Sequence, residues 1–168
     1  TDFFEWWSHN WGGFPEPYTF GRRLLRYLQQ SDKRYDIIHD NQCLAPALLN
    51  LQRQNIPVVA TIHHPITHDR AIALAHEDNW GMRLLIKRWH LFLRMQIRVA
   101  KRLKNIVTVS ENSKRDISSD FGVDTERLTV VYNGVDSKTF APRANVQRQP
   151  MQLIFTASAD QPLKGTRY

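Results

Sequence analysis

The sequence predicts an α/β protein built on an open parallel sheet with helices on both faces. Short apolar segments rich in β-branched residues recur at 36–40, 58–62, 105–109 and 128–132, and helical patterns lie between them. The segment 58–62 is almost continuously apolar, as is typical of a strand that is covered on both faces. In such sheets ligands bind beyond the carboxyl ends of the strands. Functional residues are therefore expected directly after strands.

The elements before the second strand are predicted from local composition and spacing. The first twenty residues combine aromatic side chains with Gly12, Gly13 and two prolines, which indicates an irregular loop that caps a core. Apolar residues at helical spacing predict a helix over 20–30. A second helix is predicted over 44–55, because the chain must leave helical geometry before Pro57.

The segment from Gly81 to Lys104 carries eight basic residues and no acidic one. As one long helix it would present a basic stripe opposite an apolar one. Two interpretations stand equal: an interfacial helix on an anionic membrane, and a basic face that is simply solvated.

The rest of the chain predicts a domain boundary. Ser110 is a favoured N-cap for a helix that runs to Phe121 and ends at Gly122. A first domain is expected over 1–141, a proline-bounded linker over 142–150, and the first strand and loop of a second domain over 151–168. Because the sequence opens on Thr1 and stops where this second unit begins, we expect it to be a piece of a longer protein.

The composition limits the binding partners and the cellular compartment that we expect. The 168 residues carry a net charge of +7 and a sequence pI near 9.9, which favours anionic partners such as phosphates, nucleic acid or anionic lipid. A single cysteine, Cys43, excludes an internal disulfide and cysteine-rich zinc modules and is typical of a reducing compartment. We expect a cytoplasmic protein, with peripheral attachment to the inner membrane surface if the basic segment contacts lipid.

Candidate site residues follow the predicted strands. His63 and His64 come directly after the second strand, where a catalytic and a structural role are about equally favoured, and His63 is the better catalytic candidate. Ser110 and Glu111 open a helix after the third strand, where an anion site and simple capping compete. Asn133 and Gly134 follow the fourth strand as a turn. No metal is expected, because the histidines are scattered and lack ligand spacing.

Three segments taken in order resemble the retaining glycosyltransferases of family four. These are Val59-Ala60-Thr61-Ile62-His63, then Ile106-Val107-Thr108-Val109-Ser110-Glu111 with Lys114 and Asp116-Ile117, then Val130-Val131-Tyr132-Asn133-Gly134-Val135-Asp136 with Phe140 and Pro142. Pro162-Leu163-Lys164-Gly165 falls where the first loop of that family's donor domain would lie. The resemblance covers roughly residues 36–165.

The resemblance implies a GT-B fold of two Rossmann-like domains, here most of the acceptor-side domain and the opening of the donor domain. It implies transfer of a sugar from a nucleotide-sugar donor to a carbohydrate or lipid-linked acceptor, with retention at the anomeric carbon and without a cofactor. His63 matches the cleft histidine near the transferred sugar. Lys164 and Gly165 match the donor-diphosphate loop, and His64, Ser110, Glu111, Asn133 and Gly134 line the cleft.

One departure from the family pattern and two alternative functions accompany this interpretation. The family often has an arginine shortly before the lysine, whereas this chain has Ala157-Ser158-Ala159-Asp160-Gln161. Without the rest of both domains, the isolated piece is expected to be inactive. Another GT-B enzyme, such as a sugar epimerase or phosphorylase, would share the fold. A basic nucleic-acid-binding module would share the charge, but no recognised nucleic-acid motif is present and nucleic acid is not the expected partner.

Overall fold

The computed structural model describes residues 3–142, 149–152 and 154. Its described part contains a parallel sheet with the strand order β1-β2-β3-β4. The strands are β1 (Ile38–Asn41), β2 (Val58–Thr61), β3 (Asn105–Thr108) and β4 (Leu128–Val130). The predicted α/β class with a parallel sheet flanked by helices is confirmed. Strand β4 ends two residues earlier than the sequence pattern indicated.

Seven α-helices are found in the described residues: α1 (Phe3–Asn10), α2 (Glu16–Gln30), α3 (Pro46–Arg53), α4 (Ile66–Ala75), α5 (Trp80–Trp89), α6 (Phe92–Ala100) and α7 (Glu111–Phe121). A 3₁₀ turn over Thr125–Arg127 leads into β4. Each of these helices is too short or too polar to cross a bilayer.

The core lies between the sheet and the helices that connect its strands. Parallel crossovers are right-handed, so strands in sequential order place their connecting helices on the same face. Buried residues of α3, α6 and α7 accordingly form one apolar cluster with the inward residues of the strands, including Val58, Ala60 and Ile62 of the β2 segment. The prediction placed helices on both faces; in the described residues these crossovers fill one face, and a cavity borders the other.

The amino-terminal segment differs from the predicted loop. Residues 3–10 form α1, and only the stretch from Trp11 to Pro15 is irregular. A guanidinium nitrogen of Arg23 in α2 donates to the Glu5 carboxylate at 2.5 Å, which ties α1 to α2. This hydrogen bond lowers the pKa of Glu5 below its ordinary value. The prediction of a loop was based on local composition. It was wrong because the Glu5–Arg23 pair joins residues 18 positions apart in the sequence, which composition does not show.

The basic segment over 81–104 is not one helix. A turn at His90 and Leu91 separates α5 from α6, and α6 ends at Ala100. The predicted single stripe is therefore wrong. Arg83, which the stripe placed on an open face, donates to the carbonyls of Leu74 and Glu77.

The caps of α7 are as predicted. Ser110 is extended at the N-cap, and its hydroxyl oxygen accepts the Ser113 N–H at 3.0 Å. Gly122 closes the helix with φ +60°, a conformation that other residues adopt only with strain. The predicted boundary at 142–150 and the second-domain strand and loop over 151–168 fall mostly outside the described residues and stay predictions.

Candidate functional site

A cavity of about 840 Å³ borders the strands on the side away from the core cluster and reaches beyond their carboxyl ends. Its lining alternates along the strands because successive side chains of a strand point to opposite faces. The described residues that line it are Ile37, His39, Asn41, Val59, Thr61, His63, Val107, Val109, Val131, Tyr132, Asn133 and Gly134.

The alternation along β2 places His63 in this cavity. Val58, Ala60 and Ile62 are buried in the core cluster. The residues between them continue to His63 on the cavity side. The two-residue period that buries Ile62 therefore directs His63 to the cavity.

Hydrogen bonds from the end of β1 hold His63. Its ring nitrogen Nε2 lies 2.8 Å from the side-chain oxygen of Asn41. Because an amide oxygen only accepts, Nε2 carries the proton in this pair. In the neutral ring Nδ1 is then the nitrogen that can accept a hydrogen bond. Two residues earlier in β1, a ring nitrogen of His39 forms a hydrogen bond with the Thr61 hydroxyl at 2.7 Å.

The loop after β1 adds contacts to the backbone of the histidine pair. The Gln42 side chain accepts the His63 N–H at 2.8 Å and donates to the His64 carbonyl at 3.1 Å. Behind it, Gln96 of α6 donates to the carbonyls of Gln42 and Cys43 at 3.0 and 3.1 Å. The loop is thus fixed on one side by α6 and contacts the histidines on the other.

Two ionisable groups near this loop, Asp40 at the buried face of β1 and the half-buried Cys43, are not among the described residues that line the cavity. Burial raises the pKa of the Asp40 carboxyl, although the Leu44 N–H donates to it at 3.0 Å. Burial, together with the nearby Asp40 charge, raises the pKa of the Cys43 thiol to about 12. Cys43 is therefore a neutral thiol at physiological pH and is unsuited to act as a nucleophile.

His64 is separated from His63 by the same strand alternation. Its ring nitrogen Nε2 lies 3.1 Å from the Asp69 carboxylate on α4, and about half of its side chain is exposed. A similar pair joins His68 of α4 to Asp120 of α7 at 3.3 Å. His64 is not among the described residues that line this cavity, and its predicted place in the cleft stays a prediction.

The remaining predicted residues lie either in the cavity lining or at the start of α7. Asn133 and Gly134 line the cavity beside Tyr132. Ser110 and the exposed Glu111 open α7, and the described lining includes Val109 but neither of these two. The Ser110 hydroxyl caps the helix, and the predicted places of Ser110 and Glu111 in the cleft stay predictions.

Asp136 forms hydrogen bonds within the turn that follows Asn133 and Gly134. Its carboxylate accepts the N–H groups of Lys138 and Thr139 and the Thr139 hydroxyl. The Thr139 hydroxyl, followed by these N–H groups, lowers the pKa of Asp136. Lys164 and Gly165, the predicted diphosphate-binding residues, lie outside the described residues.

The polar side chains that line the cavity can form hydrogen bonds but carry no permanent charge. The lining from the described residues offers two imidazoles, two amides and two hydroxyls, and it contains no carboxylate, lysine or arginine. The pair of carboxylates that glycoside hydrolases place about the scissile bond is thus not formed by these residues. Among the described residues no group of three histidine, cysteine or acidic side chains is arranged to hold a metal ion. Imidazoles, amides and hydroxyls are well suited to bind sugar hydroxyls.

Sequence reasoning missed His39, Asn41, Gln42, Thr61 and Tyr132. The alternation of side chains along each strand was visible in the sequence. It would have placed Asn41 and Thr61 on the same face of the sheet as His63. The role of Gln42 had no sequence signal, because its contacts to residues 63 and 64 cross 21 and 22 positions of chain.

A parallel α/β sheet with a cavity that reaches beyond the carboxyl ends of its strands is typical of the Rossmann-like class, in which ligands bind at that edge. The model of glycosyltransferase family 4 matches residues 5–139. The chain is also 46% identical over 156 residues to the MMP alpha-(1->4)-mannosyltransferase of Mycolicibacterium hassiacum. That match covers 93% of this chain and 37% of the relative. This chain therefore belongs to glycosyltransferase family 4.

Proposed function

We propose that the whole protein is a retaining glycosyltransferase that moves a sugar from a nucleotide-sugar donor to a carbohydrate or lipid-linked acceptor. The observation that carries the proposal is His63, held by Asn41 in the cavity of a chain that belongs to glycosyltransferase family 4. In this proposal the cavity binds hydroxyls of the transferred sugar and the acceptor. No separate cofactor takes part, since the donor is a co-substrate.

The step that needs most help is departure of the nucleoside diphosphate. The bond from the anomeric carbon to the diphosphate oxygen breaks, and negative charge develops on that oxygen. The acceptor hydroxyl oxygen forms the new bond on the same face of the sugar, and its proton passes to the departing diphosphate. A positioned cation stabilises such charge where it forms. The described lining contains no cation. We assign this role to Lys164, with Gly165 allowing close backbone approach, and assign His63 to the sugar.

The relative's name supports mannose as the transferred sugar and an α-(1→4) linkage as the product. We propose that this chain serves the same sugar, because the match spans nearly its whole length. The test supplies the whole protein with nucleotide-diphosphate mannose or glucose and a mannoside acceptor. Acceptor-dependent release of nucleoside diphosphate from the mannose donor, with an α linkage by NMR, supports the proposal. Release that does not depend on acceptor contradicts transfer.

The role of His63 is tested in the same assay. We expect His63→Ala to lower kcat by roughly 10²- to 10³-fold, the scale of losing one well-placed hydrogen-bonding group, with little change in Tm. His76→Ala is the matched control, since His76 is exposed at the end of α4 and its ring contacts the Ile72 carbonyl of the same helix. Lys164→Ala should raise the KM for the donor. Wild-type kinetics in both the His63 and Lys164 variants would contradict the site assignment.

A second, finer proposal concerns the exposed surface of α1 and α5. Trp80 and Leu84 of α5 are 79% and 59% exposed, and Trp6 and Trp11 near α1 are 57% and 61% exposed. The residue that follows the last turn of α1 contacts α5, because Arg88 of α5 donates to the Trp11 carbonyl. Exposed aromatic and apolar side chains beside basic ones are typical of peripheral attachment to anionic lipid. We propose that this surface attaches the protein to a membrane at its cytoplasmic side.

Vesicle sedimentation tests the attachment. The protein should pellet with vesicles containing phosphatidylglycerol and not with pure phosphatidylcholine. Lys87→Glu with Arg94→Glu should abolish pelleting, whereas Lys33→Glu with Arg34→Glu makes the same charge change in the loop before β1 and should preserve it. Equal behaviour of the wild type with both vesicle types would overturn the proposal.

A further inference from the structure

We propose that Gln42 is a positioning residue, one that sets the place of His63 for sugar transfer through contacts to the backbone. This inference rests on the proposed role of His63 and deepens it. Gln42 is half-buried in the loop directly after β1, and the cavity lining includes its neighbour Asn41.

The side-chain amide of Gln42 uses both of its ends on the histidine pair. Its oxygen accepts the His63 N–H at 2.8 Å, and its nitrogen donates to the His64 carbonyl at 3.1 Å. A single planar amide thus brackets the two residues at the point where β2 has ended and sheet pairing no longer fixes the chain. The direction in which the His63 side chain leaves the backbone depends on this bracket.

The backbone of Gln42 adopts a conformation that its residue type disfavours. Its φ is +60°, and Leu44 two residues on has φ +51°. A residue other than glycine adopts this region only with strain, and such strain persists only where surrounding contacts fix it. Here the contacts are the Gln96 amide, which donates to the Gln42 carbonyl, and the Leu44 N–H bond to Asp40. A glycine would adopt this φ with less strain, so the loop shape alone does not require a glutamine.

Two adjacent residues, the last of β1 and the first of the loop after it, therefore fix His63 in two ways. Asn41 bonds the imidazole ring, and Gln42 bonds the backbone on both sides of it. Without the Gln42 contacts, the hydrogen bond to Asn41 would still restrict rotation of the imidazole ring. It would not fix where the ring lies along the cavity. Misplacement of a positioned group by about 1 Å costs up to about 10²-fold in rate. We expect the loss to fall on kcat, because the reacting geometry is affected more than ground-state binding.

Replacement by glycine separates the side chain from the loop shape. In the whole protein, Gln42→Gly removes both hydrogen bonds and keeps a backbone suited to φ +60°. We expect kcat to fall by roughly 10- to 100-fold with KM for the donor changed less than about 3-fold. Asn55→Gly is the matched control: Asn55 also has φ +60°, is exposed after α3 and lies at the opposite edge of the sheet. Its kcat should equal that of the wild type.

Two more variants make the outcome decisive. Gln42→Glu keeps an acceptor for the His63 N–H but loses the donor to the His64 carbonyl, so its kcat should fall between those of the wild type and Gln42→Gly. Combining Gln42→Gly with His63→Ala should give no loss beyond that of His63→Ala, because a positioning residue acts only through the group it positions.

The outcomes distinguish this inference from the proposed function. Wild-type kcat in Gln42→Gly, alongside a large loss in His63→Ala, would overturn the positioning role and leave the role of His63 intact. Wild-type kcat in His63→Ala would instead contradict the proposed function. An additive loss in the double variant would also overturn the inference, since Gln42 would then act independently of His63.

Discussion

Helices α2 and α3 pack against each other at Gly21, with no room for a larger side chain. A β-carbon at this position would lie 2.4 Å from the Ala45 β-carbon and 3.2 Å from that of Ala47. Both of these atoms are attached directly to the backbone, so no side-chain rotation relieves the overlap. Replacing Gly21 by alanine therefore requires the two helices to move apart.

The expected magnitude follows from two opposing effects. Alanine is favoured over glycine within a helix by about 1 kcal/mol. Overpacking a close contact costs about 1–3 kcal/mol, and the upper end applies here because the obstructing β-carbons are attached directly to the backbone and cannot rotate away. We expect Gly21→Ala to lower the free energy of unfolding by about 2 kcal/mol, which for a chain of this size lowers Tm by about 4–8 °C.

Urea unfolding followed by circular dichroism measures this change. Arg26→Gly and Arg26→Ala, compared with each other at an exposed position of α2, measure the helix-propensity effect by itself. Adding Ala45→Gly to Gly21→Ala removes the closest obstruction and should recover part of the loss, beyond what Ala45→Gly alone predicts. If Gly21→Ala is as stable as the wild type or more so, α2 does not pack on α3 as described.

Two further predictions concern stability. Because burial raises the pKa of Asp40 above 3.8, the folded protein holds this proton to higher pH than the unfolded chain. Relative to Asp40→Asn, the free energy of unfolding of the wild type should thus fall as pH rises from about 3.8 through the raised pKa and stay constant above it; a pH-independent difference by urea unfolding would contradict this. Ser110→Ala should cost about 1 kcal/mol through loss of the α7 cap, whereas Ser119→Ala on the same helix should stay within about 0.5 kcal/mol; equal stability of the two variants would mean that the cap contributes nothing.

The strands and the caps of α7 were predictable because their signals are local. A run such as Val58 to Ile62 carries its own pattern, and Ser110 and Gly122 mark the helix ends by side-chain and backbone preference. The α1 helix and the break between α5 and α6 were missed. Their determinants, such as the Glu5–Arg23 pair, join residues that are distant in sequence.

The candidate site was predictable in part. His63, Asn133 and Gly134 were found because they follow strands, and the structure brings all three to one cavity. Position after a strand did not separate His63 from His64, nor capping residues such as Ser110 from residues that line the cavity.

By itself the sequence determined the α/β class, the strand positions and the presence of a histidine at the sheet edge, since these depend on periodicity and on residue preference at turns. Only the tertiary structure decided that His63 enters the cavity while His64 pairs with Asp69, and that the loop after β1 holds His63 in place. The physical reason is that hydrogen bonds act over about 3 Å in space. The partners of His63 lie 21 and 22 residues away along the chain.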